Sequence, residues 1–356
     1  MKTLKVLIIE SDSNVCQRLE DAIAKDDDIS MALFSGSKYG DDFEAALVNE
    51  IPDVILMGIN GPKTEQMDFF TSIRKHHPGM PVLIMTPHNR EGAEAALQAL
   101  KMGAVEYVTK TMSLSGAVRS ETHFTERLLP VIKAVPRLNR NILMTGSYFE
   151  KSLEKVQRIT TDQFEPSMIR SEILVIVGCL GGVPSLYLLL SSLPDNLPVP
   201  IVVVQHMPKI YTAFLAEDLE HITGLKVHEA KDGTELKPGE VYIAPGNYHA
   251  KVMRENASNV ICLSSGMKVK GFRPSIDVML QSARQLFGDR VLAVYLSGGG
   301  QDGIEGAEVV DIAGGQIIIQ NKSSSLLHDL PWKIKNLGVK EFPLERLGHE
   351  ITQRVI

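Results

Sequence analysis

Unbroken apolar runs that end in Gly-rich or polar turns recur along the chain, and this pattern predicts strands buried in a parallel sheet. The clearest run covers 173–177, passes through the turn Gly178–Gly182 and continues as an apolar helix. In open α/β folds such a turn presents backbone N–H groups and one side chain at the carboxyl edge of the sheet. Cys179 lies in this turn and is the first candidate for a nucleophile.

Alternating strands and helices in the first 112 residues indicate a doubly wound parallel sheet. Asp12 or Ser13 is suited to cap the first helix. The predicted strands are 4–9, 54–57, 81–86 and 105–110, and the predicted helices are 14–24, 68–75 and 92–102.

The same alternation resumes after residue 170. Residues 113–170 carry helix-breaking prolines and are interpreted as a partly helical linker. The sequence therefore predicts an α/β chain with two doubly wound parallel-sheet domains, over 1–112 and 171–356. Strands are predicted at 173–177, 200–205, within 237–246, and at 259–263, 291–296 and 316–320, with helices at 275–286 and 304–313.

Composition narrows the function classes without deciding among them. A chain of 356 residues with 44% hydrophobic and 22% charged residues suits two globular domains. The net charge of −6 gives no reason to expect nucleic acid or an anionic membrane as partner. No apolar run reaches the roughly 18 residues that span a bilayer. The basic and then apolar start meets Glu10 without a cleavage site, so it is interpreted as a strand and not as a signal peptide.

Three polar residues follow buried strands of the second domain: Cys179, His206 and Asp302. Because the carboxyl ends of parallel strands share one edge, we expect these side chains to lie close together. A thiol, an imidazole and a carboxylate can serve as nucleophile, base and orienting acid. The alternative is that Cys179 is only a small buried side chain at a tight turn. With Cys16 and Cys262 the chain has an odd number of cysteines, which indicates reduced thiols and a cytoplasmic location. No metal site and no cofactor are predicted.

The first domain resembles the phosphoryl-receiver domain of response regulators. The resemblance is carried by Pro52–Pro62, Met85-Thr86 and Val108–Lys110. It implies that Thr86 is the receiver's switch threonine and that Lys110 is its phosphate-contacting lysine.

The first domain departs from the receiver pattern at the positions that carry out phosphorylation in receivers. Glu10 and Ser11 stand where receivers carry an acidic pair, and Gly58 stands where they carry the phosphoacceptor Asp. Glycine offers no side chain to phosphorylate, so the domain is interpreted as a pseudo-receiver. We expect Thr86 and Lys110 to have lost their contacts.

The second domain resembles the chemotaxis receptor methylesterases of the CheB family, which join an N-terminal receiver to a C-terminal esterase. Four motifs carry the resemblance in order, and it covers nearly the whole chain apart from the linker: Gln205–Pro208, Tyr242–His249, Phe272–Asp277 and Leu296–Gly303. It implies hydrolysis of γ-glutamyl methyl esters, and of glutamine, on the cytoplasmic region of a methyl-accepting chemoreceptor or a related signalling protein. A complex with a histidine kinase is a further expected partnership.

The resemblance assigns roles to individual residues. The family turn Gly-Ala-Ser-Thr-Gly-Gly places its nucleophilic Ser on Cys179, although a one-residue deletion fits equally well and would leave the position empty. His206 falls on the base and Asp302 on the orienting acid. Gly299 replaces the Met of the oxyanion-hole segment.

Arg273 and His249 fall on motif positions that are either substrate-contacting or structural. Three functions therefore remain open. The chain is a methylesterase with a Cys nucleophile, or an inactive signalling scaffold with the same folds, or a dinucleotide-binding module. The last lacks the Gly-x-Gly-x-x-Gly spacing.

Overall fold

The computed structural model describes residues 3–110, 128–139, 153–154, 156–161 and 170–356. The chain divides into two compact units, Met1–Lys151 and Ser152–Ile356. Each unit is built on a parallel sheet, so the predicted fold class is confirmed. The linker predicted over 113–170 lies mostly outside the described residues.

A five-stranded sheet with strand order β2-β1-β3-β4-β5 forms the first unit, and all its pairs are parallel. Asp12 caps α1 by accepting hydrogen bonds from the N–H groups of Asn14 and Val15, as one of the two predicted caps. The strands are β1 (Leu4–Ile9), β2 (Ile29–Phe34), β3 (Val54–Gly58), β4 (Val82–Pro87) and β5 (Glu106–Lys110). The helices are α1 (Ser13–Ile23), α2 (Asp41–Glu50), α3 (Glu65–His76) and α4 (Arg90–Lys101).

The second unit has a seven-stranded parallel sheet with strand order β15-β14-β13-β6-β7-β10-β8. Its strands are β6 (Ile173–Gly178), β7 (Ile201–Gln205), β8 (Val227–Glu229), β10 (Val241–Ile243), β13 (Val291–Tyr295), β14 (Gln316–Gln320) and β15 (Lys340–Phe342). Its helices are α5 (Gly182–Ser192), α6 (Lys209–Thr223), α7 (Ile276–Phe287), α8 (Ile304–Ile312), α9 (Asp329–Ile334) and α10 (Leu344–Val355).

A small antiparallel sheet departs from the predicted parallel architecture. It has the order β11-β12-β9 and contains β9 (Thr234–Glu235), β11 (His249–Glu255) and β12 (Ser258–Ser264). The strand predicted at 259–263 lies here and not in the main sheet. Its neighbour β11 has an exposed, charged outer end, which an apolar-run criterion does not detect.

The order of strands in the main sheet reverses at β6. The chain runs from β6 to β7 on one side, and later returns to pair β13 with the other side of β6. Ligands of open α/β sheets bind outside the carboxyl ends of the strands at such a switch point. The turns after β6, β7 and β13 meet at this edge.

Candidate active site

Three hydrogen bonds hold the backbone of Cys179 in the turn between β6 and α5. The Cys179 N–H donates to the Ser297 carbonyl (3.3 Å), and the Cys179 carbonyl accepts from the Gly182 N–H (3.0 Å). The Gln205 side-chain amide donates to the same carbonyl at 3.0 Å. Gln205 was not predicted as a site residue. Its position as the last residue of β7 is the signal that the sequence offers.

The three predicted side chains form a chain of two contacts, with His206 within hydrogen-bonding distance of both Cys179 and Asp302. Cys179 Sγ is 3.1 Å from His206 Nδ1, and His206 Nε2 is 2.8 Å from Asp302 Oδ2. They come from the turns after β6, β7 and β13, as the shared edge of a parallel sheet predicts. The arrangement has the order of nucleophile, base and orienting acid.

Asp302 is held at the N-terminus of α7. Its carboxylate accepts hydrogen bonds from the Ser275 hydroxyl (2.7 Å) and from the N–H groups of Ile276 (2.8 Å) and Asp277 (3.2 Å). Burial raises the pKa of Asp302, but the hydrogen bonds from His206, Ser275 and Ile276 outweigh burial and lower it. Asp302 is therefore an anion of fixed orientation. Sequence reasoning missed Ser275 as a site residue, although a serine at the start of the predicted helix 275–286 is a cap signal.

Opposing effects set the charge of His206. Burial lowers the pKa of the ring, whereas negative charge on the Cys179 sulfur and the hydrogen bond to Asp302 raise it, with a net value of about 9. A pKa in that range favours the protonated ring when the Cys179 sulfur carries the negative charge. A protonated imidazole beside a cysteine favours the thiolate, which is the nucleophilic form of the side chain.

The loop after β13 approaches Cys179 closely. A Cβ atom at Gly298 would lie 2.6 Å from the Cys179 Cβ, so only glycine fits there. The next carbonyl, that of Gly299, accepts a hydrogen bond from the Cys179 thiol at 3.2 Å. In the described part of the chain, the N–H groups of Leu180 and Gly299 donate to no acceptor.

Arg273 and His249 both contact the segment that follows β12. Arg273 Nη1 donates to the carbonyls of Ser265 and Gly266, each at 2.7 Å. His249 Nε2 lies 2.8 Å from the Met267 carbonyl. These contacts support the structural alternative for both residues.

In the first unit, an ion pair lies at the position of the missing phosphoacceptor. Lys110 Nζ is 2.7 Å from Glu10 Oε2, and it donates to Asn60 Oδ1 at 2.9 Å. The expectation that Lys110 has lost its contacts is therefore wrong, because the lysine has taken new partners. A Cβ atom at Gly58 would lie 2.2 Å from Glu10 Oε2 and 2.9 Å from Lys110 Nζ. Thr86 is buried at the end of β4 and is not without a partner.

Family models match both units. A CheB methylesterase model matches residues 174–351, and a response regulator receiver domain model matches residues 6–118. A protein-glutamate methylesterase/protein-glutamine glutaminase of Trichodesmium erythraeum is 32% identical over the full length of both chains. One of Thermotoga maritima is 31% identical over 100% of this chain and 98% of its own. The chain belongs to the CheB methylesterase family.

A solved structure of the family agrees with this assignment. The CheB methylesterase catalytic domain of Thermotoga maritima is 34% identical and superposes with a TM-score of 0.50. It covers 52% of this chain, and 99% of its own length is matched. This CheB family member therefore combines a methylesterase-type domain with a receiver-type domain, as the sequence predicts.

Within the described residues of this CheB family member, no group of three or more His, Cys, Asp or Glu side chains is arranged to hold a metal ion. No described helix is both long and apolar enough to cross a membrane.

Proposed function

We propose that the protein is a protein-glutamate methylesterase, and a glutamine deamidase on the same site, with Cys179 as its nucleophile. The observation that carries the proposal is the continuous contact from Cys179 Sγ to His206 and from His206 to Asp302, at 3.1 and 2.8 Å. An empty nucleophile position, the other alignment of the turn, is not favoured because the thiol itself faces the imidazole.

The reaction starts from the thiolate of Cys179 and the imidazolium of His206. The sulfur attacks the side-chain carbonyl carbon of the glutamyl ester, forming a C–S bond while the carbonyl oxygen takes the negative charge. The N–H groups of Leu180 and Gly299 are the proposed donors to that oxygen. The C–O bond then breaks, and His206 gives its proton to the departing methanol.

Hydrolysis of the thioester restores the enzyme. His206, now neutral, takes a proton from water as the water attacks the thioester carbonyl. Breakage of the C–S bond releases glutamate, and the proton on His206 restores the starting pair. With glutamine as substrate the same steps release ammonia, which needs the imidazolium proton more than methanol does.

The direct test is release of methanol from a methylated receptor. We expect release by the wild type and none by Cys179→Ala. Cys179→Ser should give reduced but measurable release, because its hydroxyl can donate its proton to His206, which Asp302 orients. Absence of release by all three proteins would refute the enzyme hypothesis.

An inactive signalling scaffold is the second candidate, and one observation favours it. The Gly299 carbonyl accepts a hydrogen bond from the thiol, so an acceptor and not a donor faces the resting nucleophile. An active site of this kind needs the thiol to leave that carbonyl before attack. Retained binding of the receptor without methanol release would support the scaffold.

The proposed partner is the cytoplasmic region of a methyl-accepting chemoreceptor, with a histidine kinase as a second partner, and the proposed location is the cytoplasm. Both follow from the resemblance of the chain to chemotaxis methylesterases. The proposed role of the first unit is that of a pseudo-receiver. Gly58 and the Glu10–Lys110 ion pair at 2.7 Å support this interpretation.

A further inference from the structure

One face of the His206 ring lies on the ring of Phe272. The two centroids are 3.9 Å apart and the ring planes differ by 12°. The ring nitrogens meanwhile face Cys179 and Asp302. His206 is thus held by a sulfur, a carboxylate and an aromatic face.

The stacking geometry bears on the charge of the imidazole. Two neutral aromatic rings prefer offset or edge-to-face contacts, because directly superposed rings bring like quadrupoles together. A cation above an aromatic face is attracted by the same quadrupole. A nearly parallel pair at 3.9 Å therefore suits an imidazolium better than a neutral imidazole.

A tight hairpin presents Phe272 to the histidine. The N–H of Val269 donates to the Phe272 carbonyl (3.1 Å), and the N–H of Phe272 donates to the Val269 carbonyl (2.9 Å). The two residues between them both have positive φ, 49° for Lys270 and 86° for Gly271. Turns of this kind match the twist of a hairpin, but a non-glycine residue in that region is uncommon.

Contacts of its ammonium group hold Lys270 in this conformation. Lys270 Nζ is 2.8 Å from Asp277 Oδ2 and 2.9 Å from Glu305 Oε1. It also donates to the Gln301 carbonyl at 3.3 Å. Gln301 directly precedes Asp302, so the tip of the hairpin is fixed to the loop that carries the orienting acid. Unusual backbone conformations persist only where the surroundings hold them.

We propose that the hairpin Val269–Phe272 is a positioning element of the active site. In this role Phe272 holds the protonated His206 against Cys179 and Asp302, and Lys270 fixes the hairpin to the Asp302 loop. The inference rests on the proposed function in taking Cys179 and His206 as the reacting pair. Among the described residues, two titratable groups face His206, Cys179 from the turn after β6 and Asp302 from the loop after β13. The hairpin adds an uncharged aromatic face, because its one cation is turned to Asp277 and Glu305.

The pH dependence of Cys179 alkylation tests this role. The rate of iodoacetamide modification at Cys179, followed by peptide mass spectrometry, reports thiolate formation and needs no substrate. Phe272→Leu keeps an apolar cover over His206 but removes the aromatic face. We expect the midpoint for thiolate formation to rise by about 0.5–1 pH unit. Phe272→Tyr keeps the face and should keep the wild-type midpoint. A Phe272→Leu profile that superposes on the wild type would overturn the inference.

Lys270→Met tests the anchor and also provides a second variant should Phe272→Leu not fold. We expect its midpoint to move in the same direction by a smaller amount, while Lys251→Met, at an exposed position on β11, stays at the wild-type value. An unchanged Lys270→Met profile would contradict the anchoring role. Methanol release separates the two proposals. A shifted Phe272→Leu profile without wild-type methanol release refutes only the enzyme, and wild-type release without a shift refutes only the hairpin.

Discussion

A thiol at position 179 changes the task of the neighbouring imidazole. A serine hydroxyl must lose its proton during attack, so its base has to be neutral beforehand. A cysteine can transfer its proton to the imidazole in advance. The effects of Cys179 and Asp302 on His206 outweigh burial and raise its pKa to about 9, which favours this transfer. In the proposed mechanism His206 then acts first as the acid that protonates the leaving group.

Cys179 should be alkylated faster than Cys16 and Cys262, although exposure alone suggests the opposite order. Cys179 is buried, whereas Cys16 and Cys262 are partly exposed. Burial, with nearby carboxylates, raises the pKa of both Cys16 and Cys262 and so disfavours their thiolates at neutral pH. We expect iodoacetamide to modify Cys179 first at about pH 7, as measured by peptide mass spectrometry. His206→Gln should slow Cys179 alone by at least about tenfold. Earlier modification of Cys16 or Cys262 would contradict a thiolate–imidazolium pair of Cys179 and His206.

Asp302→Asn should remove most of the activity while leaving the fold in place. The amide keeps the size of the side chain but loses the charge that stabilises the imidazolium. It can also stabilise the wrong tautomer of the His206 ring. A comparable change in a serine protease triad costs about 10⁴-fold in kcat, and we expect a loss of about 10³–10⁴-fold in methanol release. Ser275→Ala removes one of the hydrogen bonds to Asp302 and should cost about tenfold or less. Equal losses in the two variants would argue against a role for the charge.

At the scale of elements, well-buried strands were predictable, whereas sparsely buried elements were not. β3, β6 and β13 are buried along their whole length, so each gives a continuous apolar run. β2 lies at the edge of its sheet with mostly half-buried residues, and α2 buries only Phe43. Neither leaves a clear apolar pattern, and both escaped the sequence analysis. Short strands such as β15 are missed for the same reason.

The candidate site divides in a similar way. The meeting of Cys179, His206 and Asp302 follows from one rule about the carboxyl ends of parallel strands, so sequence reasoning reached it. The contact between the thiol and the Gly299 carbonyl depends on the orientation of a single peptide group in a glycine-rich loop. Hydrophobic periodicity carries no information on that orientation. The partners of Lys110 escaped prediction because a new ion pair across β1 and β5 leaves no motif.

The loop after β13 gives a prediction at the scale of one element. Gly298→Ala would place a methyl group 2.6 Å from the Cys179 Cβ, and the loop has to move away from the nucleophile. Because the same loop carries Gly299 and Asp302, we expect a loss of about 10²-fold in kcat for methanol release. Gly266→Ala is the matched control, since its added methyl meets only Ser264 Oγ at 3.4 Å. Wild-type activity in Gly298→Ala would show that the close approach is unimportant.

At the scale of the whole molecule, the two units differ in which of the family's functional positions still carry a reactive side chain. The second unit carries a thiol, an imidazole and a carboxylate in contact at its switch point. The first retains the receiver fold and its lysine, but the lysine pairs with Glu10 where a phosphoacceptor would stand. Both members of that pair are buried, and removal of one partner from a buried pair costs about 3–5 kcal/mol. Loss of either partner should therefore destabilise the first unit. If the first unit is the proposed pseudo-receiver, regulation of the proposed esterase has to come from something other than an aspartyl phosphate.

A small-molecule phosphodonor should consequently leave the protein unchanged. Incubation with acetyl phosphate and Mg²⁺ is expected to add no phosphoryl group to the intact mass, because Gly58 has no carboxylate and Lys110 is neutralised by Glu10 at 2.7 Å. The rate of methanol release should be the same with and without the phosphodonor. A receiver that keeps its phosphoacceptor Asp, treated in parallel, establishes that the reagent is active. A gain of one phosphoryl group that maps to residues 3–110, together with faster methanol release, would show that the first unit still switches by phosphorylation at another side chain.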